Sequence, residues 1–169
     1  MTDAIAIQDA SKYFGTHTAV NQLTLNVAAG SICGFLGPNG AGKTTTLRMI
    51  TGILVPDSGS VQVLGGQTPE AARARIGYLP EENGLYKDMR VLDMVSYFGR
   101  LRGLSRHDAQ TRARKRLEDA GLGARLNAKC NTLSKGMGQK AQVIATLLHD
   151  PELVVLDEPF SGLDPVNAE

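Results

Sequence analysis

Eight consecutive residues have the types and spacing needed to hold a chain of phosphate groups. The run Gly37-Pro38-Asn39-Gly40-Ala41-Gly42-Lys43-Thr44 matches GxxxxGK followed by Ser or Thr at every fixed position. Glycines let backbone N–H groups approach a triphosphate closely, and a helix beginning after the loop adds partial positive charge. We expect Lys43 to reach the β- and γ-phosphates, Thr44 to ligate Mg²⁺ and Thr45 to bond the α-phosphate. The sequence therefore predicts binding of a nucleoside triphosphate with Mg²⁺, and this loop alone fits a kinase, a GTPase or many ATPases.

Two carboxylates have the types and the position that hydrolysis of a bound triphosphate would need. Asp157 and Glu158 directly follow four apolar residues, Leu153–Leu156, which predict a buried strand. At the end of a strand beside the phosphate loop, Asp157 would hold Mg²⁺ through its waters, and Glu158 would polarise the attacking water. An ordinary strand ending in an acidic turn is the simpler interpretation of this segment alone. Together with the phosphate loop, the pair predicts a nucleotide hydrolase.

The elements that position these residues alternate between short apolar runs and helical patterns. The run Ser31–Leu36 is continuously apolar up to the phosphate loop, which predicts a strand buried on both faces. A helix is predicted from about Gly42 to Thr51. The other predicted strands are Ala4–Gln8, Leu23–Val27, Ser60–Leu64 and Ile76–Leu79.

The middle of the chain changes from strand patterns to helical patterns. Residues 91–101 place apolar side chains on one helical face, a second helix begins at Ser105 with Asp108 three residues on, and a third follows Gly136. We therefore expect a strand-rich part at residues 1–84, an inserted helical subdomain at 85–149, and a return to the sheet at 150–169.

Basic residues concentrate in the helical part, where Asp108 is the only acidic residue among them. A solvated helix surface is the simpler interpretation, and contact with anionic headgroups or an acidic loop of a membrane partner is the alternative. The cluster comprises Arg100, Arg102, Arg106, Arg112, Arg114, Lys115 and Arg116.

The composition limits the classes of protein to which the chain can belong. Its 169 residues fit one domain with a sizeable core, and the net charge of +1 with no tryptophan gives no indication of a nucleic acid partner. The two cysteines, Cys33 and Cys130, lack CxxC spacing, which favours a reduced cytoplasmic compartment. No apolar run approaches the roughly 20 residues that span a bilayer. Any membrane attachment is therefore expected through a partner.

Three further segments give the chain a resemblance to one family of ATPases. Leu133-Ser134-Lys135-Gly136-Met137 resembles the LSGGQ signature of ABC-family ATPases, and Ser161-Gly162-Leu163-Asp164 resembles their D-loop. Ile76–Glu81 resembles the segment leading into their Q-loop. The resemblance covers essentially the whole chain, as one ABC ATPase domain. It is strongest to type-two ABC exporters, the group that includes sodium-extrusion and drug-resistance systems.

The resemblance implies both a fold and a mechanism. The implied fold is an α/β P-loop NTPase with an ABC-type mixed sheet core, an N-terminal antiparallel β subdomain and the inserted helical subdomain. Two ATPase subunits would face each other head to tail, with Ser134 and Gly136 binding the γ-phosphate held by the partner and Asp164 contacting the opposing phosphate loop. Phe14, or Tyr13 in its place, would stack on adenine. Closure of the dimer would drive polytopic permease subunits, which would hold the chain at the inner face of the cell membrane.

The chain departs from the family pattern at three places. Glu81 stands where most members have glutamine, although the exporter group also has glutamate there. Its carboxylate would be a ligand of Mg²⁺, and Glu81 would belong to the catalytic centre together with Lys43 and Glu158. Met137 and Gly138 replace polar residues of the signature, so fewer hydrogen bonds to the partner's nucleotide are expected. The sequence also ends before the strand that carries the family's switch histidine, so we expect an incomplete domain.

Three other functions compete with that of a transporter ATPase. A truncated fragment would bind ATP with little or no turnover. A soluble ABC-type ATPase acting on ribosomes or in DNA repair would be expected to carry paired domains, long insertions or zinc-ligating cysteines, none of which this sequence shows. The hypothesis of a P-loop kinase does not account for the segment Leu133–Met137, which precedes Asp157 and Glu158 in the sequence.

Overall fold

A computed structural model of the chain describes residues 3–82 and 84–159. The contacts divide the chain into two units, residues 1–76 and 77–169. The phosphate loop belongs to the first unit, and the helical part with the Asp157-Glu158 pair belongs to the second. Asp164 and the rest of the D-loop-like segment lie outside the described residues.

The first unit is built on a three-stranded antiparallel sheet in the order β2-β1-β3. The alternation of side chains along β1 buries Ile7, which lies opposite Leu25 on one side and Val61 on the other. The predicted antiparallel β region is therefore confirmed, with longer strands than the short apolar runs indicated. The strands are β1 (Asp3–Phe14), β2 (His17–Ala28) and β3 (Ser58–Val63).

One helix, α1 (Lys43–Ile50), follows the phosphate loop as predicted. Its buried residues Thr46, Met49 and Ile50 recur at helical spacing, so one face of the helix packs inside the unit. The chain turns after α1, where the Arg73 Nη2 atom donates a hydrogen bond to the Gly52 carbonyl at 2.8 Å. A 3₁₀ turn at Arg73–Arg75 then leads toward the next strand.

The predicted buried strand at Ser31–Leu36 is wrong. These residues form no regular element, and Ile32 and Leu36 have relative exposures of 104% and 92%. A strand exists only through hydrogen bonds to lateral neighbours, and no strand in the described ranges 3–82 and 84–159 pairs with this run. The apolar composition of this run predicted a strand, but none of the described strands pairs with it.

The described residues of the second unit form three α-helices packed around one apolar core. The cluster includes Val95 of α2, Leu117 of α3 and Ala145 of α4. The three predicted helices are confirmed, the first with the predicted bounds. The helices are α2 (Val91–Leu101), α3 (Arg106–Asp119) and α4 (Lys135–Leu147).

In the described part of the second unit, arginines of α3 that belong to the basic cluster have acidic partners. Arg112 and Arg116 of α3 both form ion pairs with Asp150, and Arg116 Nη1 also donates to the Leu147 carbonyl at 2.7 Å. The hydrogen bond from Arg116 is the main cause that lowers the pKa of Asp150. Arg114 lies 3.8 Å from a carboxylate oxygen one helical turn further on. These partly exposed ion pairs favour the interpretation of the basic cluster as a solvated helix surface.

Two strands, β4 (Ile76–Leu79) and β5 (Leu153–Leu156), pair to form a second sheet. The amide of Asp157 donates to the Leu79 carbonyl at 2.9 Å, so the C-terminal ends of both strands lie side by side. β5 is half-buried rather than fully buried, because only Leu153 and Val155 face inward. A strand is buried on both faces only where other elements of the fold cover both faces of its sheet. One face of β5 remains accessible to solvent.

The helices in the described part of the chain are no candidates for a membrane span. None combines the length and the apolar character that crossing a bilayer requires.

Candidate functional site

The phosphate loop ends in a helix N-terminus that has no side-chain cap. Gly42 occupies the N-cap position in the left-handed conformation, with φ of 83°, and Gly40 has φ of 80°. The first helical hydrogen bond runs from the Thr46 amide to the Gly42 carbonyl at 2.8 Å. The preceding amides of α1 have no carbonyl of their own helix to bind, and a glycine offers no side-chain oxygen to them. These amides and the helix dipole form a local environment that favours an anion.

The Lys43 ammonium lies over the loop that precedes it. Its Nζ atom donates to the Gly37 carbonyl at 2.8 Å and to the Pro38 carbonyl at 2.9 Å. An ammonium group has three donors, so one remains when both carbonyls are bound. Lys43 thus places a positive charge at the loop without an acidic partner among the described residues.

Gly42 is required for packing as well as for its backbone conformation. A Cβ atom on Gly42 would lie 2.2 Å from the Ala19 carbonyl oxygen of β2, whereas a Cβ on Gly40 would meet no atom within 4 Å. The motif alone explains these glycines by the close approach of the backbone to phosphates. The structure adds a second reason for Gly42, which is the close approach of the loop to β2.

The Gly42→Ala variant is therefore expected to lose more stability than Gly40→Ala. Both place alanine in a left-handed conformation at a cost of roughly 1–2 kcal/mol, and only Gly42→Ala adds a steric overlap, worth roughly 1–3 kcal/mol more. Urea denaturation of the nucleotide-free variants measures the difference. Equal losses of unfolding free energy for the two variants would show that β2 does not constrain the loop.

The two aromatic residues predicted to stack on adenine lie at the end of β1. Tyr13 and Phe14 have relative exposures of 45% and 50%. Asp57 fixes this strand end, because its carboxylate accepts from the Lys12 ammonium at 2.9 Å and from the Tyr13 amide at 2.7 Å. Asp57 is not among the residues predicted from the sequence, because no local pattern indicates a contact with a residue 44 positions away. The rings are thus exposed on a strand end that is held in place.

The stability of this strand end is expected to depend on pH. The Tyr13 amide and then the Lys12 ammonium lower the pKa of Asp57 below its usual value of 3.8. A carboxylate with a lowered folded-state pKa stabilises the fold above the unfolded pKa, and this stabilisation is lost as pH falls through the folded pKa. The difference in unfolding free energy between the native chain and Asp57→Asn should stay constant from about pH 5 to 8 and shrink below about pH 4. Urea denaturation across this range measures it.

A matched control for that measurement is Asp119→Asn. Asp119 is an exposed carboxylate at the last residue of α3, so Asp119→Asn controls for the removal of one negative charge away from the end of β1. A difference for Asp57→Asn that persists unchanged below pH 3 would show that its charge contributes nothing.

Asp157 is a buried carboxylate with an unsatisfied oxygen. Its relative exposure is 3%, and its Oδ2 atom has no hydrogen-bond partner among the described residues. A buried carboxylate oxygen without a donor is costly unless a cation or water binds it. This residue therefore fits the predicted Mg²⁺ site, in which a carboxylate acts together with waters and phosphate oxygens. Within residues 3–82 and 84–159, no group of three or more His, Cys, Asp or Glu residues forms a metal cage by itself.

Glu158 and Glu81 are the other two carboxylates predicted at this edge of the second sheet. Glu158 is exposed and adopts the left-handed conformation with φ of 48°, which is uncommon for a residue with a side chain. Glu81 is exposed two residues after the end of β4, and the ends of β4 and β5 are adjacent. The second unit thus brings three carboxylates to the ends of two paired strands.

The signature-like segment opens a second helix N-terminus. Ser134 is the N-cap of α4, and its hydroxyl oxygen accepts from the Met137 amide at 3.3 Å. A hydroxyl that accepts one hydrogen bond keeps its own O–H as a donor. Ser134 is exposed and Gly136 lies in the first turn, so both could contact an anion presented from outside the unit.

Comparison with known proteins supports a single family. The family described as "ABC transporter" matches residues 20–161. The chain is 46% identical over 165 residues to an uncharacterized ABC transporter ATP-binding protein, YhaQ, of Bacillus subtilis, a match that covers 98% of this chain and 55% of that protein. It is 41% identical over 168 residues to a Nod factor export ATP-binding protein I of Cupriavidus metallidurans, covering 98% and 55%. The chain thus spans about half the length of these curated relatives.

A solved structure described as the ATP binding subunit of an ABC transporter has the same fold. The two align with a TM-score of 0.84 and 30% identity over 97% of this chain and 70% of that chain. The predicted fold class is therefore confirmed.

Proposed function

This chain belongs to the ABC transporter family, and from that premise we propose that it binds and hydrolyses Mg-ATP at a head-to-tail dimer interface to power substrate export. The observation that carries the proposal is the phosphate loop. There an uncapped helix N-terminus follows Gly42, and the Lys43 ammonium lies over the loop carbonyls. That local arrangement suits a polyphosphate.

The residues have distinct roles in the proposed reaction. The loop amides and Lys43 bind the phosphates, while Thr44 and Asp157 hold Mg²⁺, with Glu81 as an additional oxygen ligand. Mg²⁺ neutralises charge on the β- and γ-phosphates when it is bound. Glu158 accepts a proton from the attacking water.

The adenine and the partner subunit engage other residues. Phe14, or Tyr13 in its place, stacks on the base from the end of β1. Ser134 and Gly136 donate hydrogen bonds to the γ-phosphate held by the second ATPase subunit. Asp164 contacts the opposing phosphate loop.

Export through membrane permease subunits is the proposed purpose of the ATPase cycle. The support is the exporter-like sequence motifs together with a relative that carries the name Nod factor export ATP-binding protein. The chain would then lie on the inner face of the cell membrane, bound to permease subunits. Co-purification with a polytopic membrane protein is the expected result, and co-purification with ribosomes would contradict it.

The decisive experiment measures ATP affinity and phosphate release on the same sample of the full chain. Tight Mg-dependent binding together with phosphate release supports the proposal. Tight binding without release supports the alternative, a fragment that binds ATP with little or no turnover. Absence of binding would reject both.

A further inference from the structure

A side chain on α4 is hydrogen-bonded to the turn that carries Glu158. The Gln139 Nε2 atom donates to the Pro159 carbonyl at 2.9 Å, and both residues are partly buried. Proline has no N–H group, so its carbonyl is the only backbone group through which Pro159 can be held. Gln139 thus connects the helix that begins at Ser134 to the end of β5.

This hydrogen bond and one other lie on either side of Glu158. The Asp157 amide is bound to the Leu79 carbonyl at 2.9 Å, on the N-terminal side of Glu158, and Gln139 holds Pro159 on its C-terminal side. Glu158 itself has φ of 48°. Such a conformation persists in a residue with a side chain when its surroundings impose it. The two flanking hydrogen bonds supply that constraint.

The position of Gln139 on α4 gives the contact a second consequence. Gln139 follows Ser134 by five residues, which corresponds to roughly 7.5 Å along a helix. Because a helix moves as a rigid body over such a distance, an anion that shifts the N-terminus of α4 also shifts the group that holds Pro159.

We propose that Gln139 is a positioning residue that orients Glu158 and couples it to phosphate contact at the N-terminus of α4. The inference rests on the proposed function, because it takes Glu158 as the proton acceptor and Ser134 as a phosphate ligand. Gln139 itself touches neither water nor nucleotide in this scheme. Its substitution therefore changes the rate of turnover and leaves the affinity for ATP unchanged.

The test compares three variants of the full chain. Gln139→Met removes the donor at similar length and should lower kcat by about tenfold, the typical effect of one lost hydrogen bond, with unchanged KM and ATP affinity. Gln139→Lys retains a donor and should recover part of the lost kcat. Gln142→Met is the matched control, because Gln142 is a buried glutamine one turn further along α4. It should keep the native kcat.

Amide hydrogen exchange gives a readout that does not depend on activity. In Gln139→Met the Asp157 amide, which is hydrogen-bonded to Leu79, should exchange several-fold faster while the amides of α4 keep their protection, since the lost contact frees the turn and leaves the helix intact. Native protection of the turn together with native kcat in Gln139→Met would overturn the proposal. A native chain that binds ATP without hydrolysis would refute the proposed function, and the exchange experiment would still decide whether Gln139 holds the turn.

Discussion

Lys43→Ala is expected to weaken ATP binding by about 10- to 100-fold. A hydrogen bond from a charged donor contributes about 1.5–3 kcal/mol, and each 1.4 kcal/mol corresponds to a tenfold change in affinity. In the nucleotide-free chain the ammonium binds the Gly37 and Pro38 carbonyls. Its third donor remains for a charged phosphate oxygen, which binds an ammonium more strongly than a neutral carbonyl does.

The measurement is the dissociation constant of a fluorescent ATP analogue, supported by calorimetry. Lys115→Ala is the matched control, since Lys115 is an exposed lysine of α3, and it should bind as the native chain does. Lys43→Arg should recover part of the charge interaction, although its planar group cannot reproduce the geometry of an ammonium. Unchanged affinity in Lys43→Ala would exclude the phosphate loop as the nucleotide site.

Local sequence signals predicted the helices well. The apolar periodicity from Val91 to Leu101 gave the bounds of α2, and the capping pattern at Ser105 was confirmed by the hydrogen bond from the Asp108 amide to its hydroxyl. These signals succeed because helix hydrogen bonds and caps join residues at most four positions apart.

Features that depend on distant partners could not be predicted from the sequence. The run Ser31–Leu36 is as apolar as a central strand, but strand formation is decided by neighbours that its own residues do not specify. The contact of Asp57 with the end of β1 and that of Gln139 with Pro159 likewise join residues far apart in the chain. Motif spacing predicted which residues have chemical roles, whereas tertiary contacts that the sequence does not reveal determine which groups hold them in place.

Glu158→Gln is expected to have the largest effect on turnover. Glutamine keeps the shape of the side chain but cannot accept the proton of the attacking water, and loss of a general base lowers the rate by about 10²- to 10⁴-fold. Binding of Mg-ATP should persist, because the phosphate loop and Asp157 remain intact. Single-turnover phosphate release measures the chemical step, and equilibrium titration of the same sample measures the affinity.

Glutamine is a better probe of this role than alanine. Alanine would remove every contact of the side chain beyond Cβ, whereas glutamine keeps its size and changes only the charge and the proton affinity. Glu118→Gln is the charge-matched control, because Glu118 is an exposed residue of α3 at 3.8 Å from Arg114. It should hydrolyse ATP at the native rate. Undiminished turnover in Glu158→Gln would remove Glu158 from the role of proton acceptor, and with it the reason for Gln139 to hold this turn.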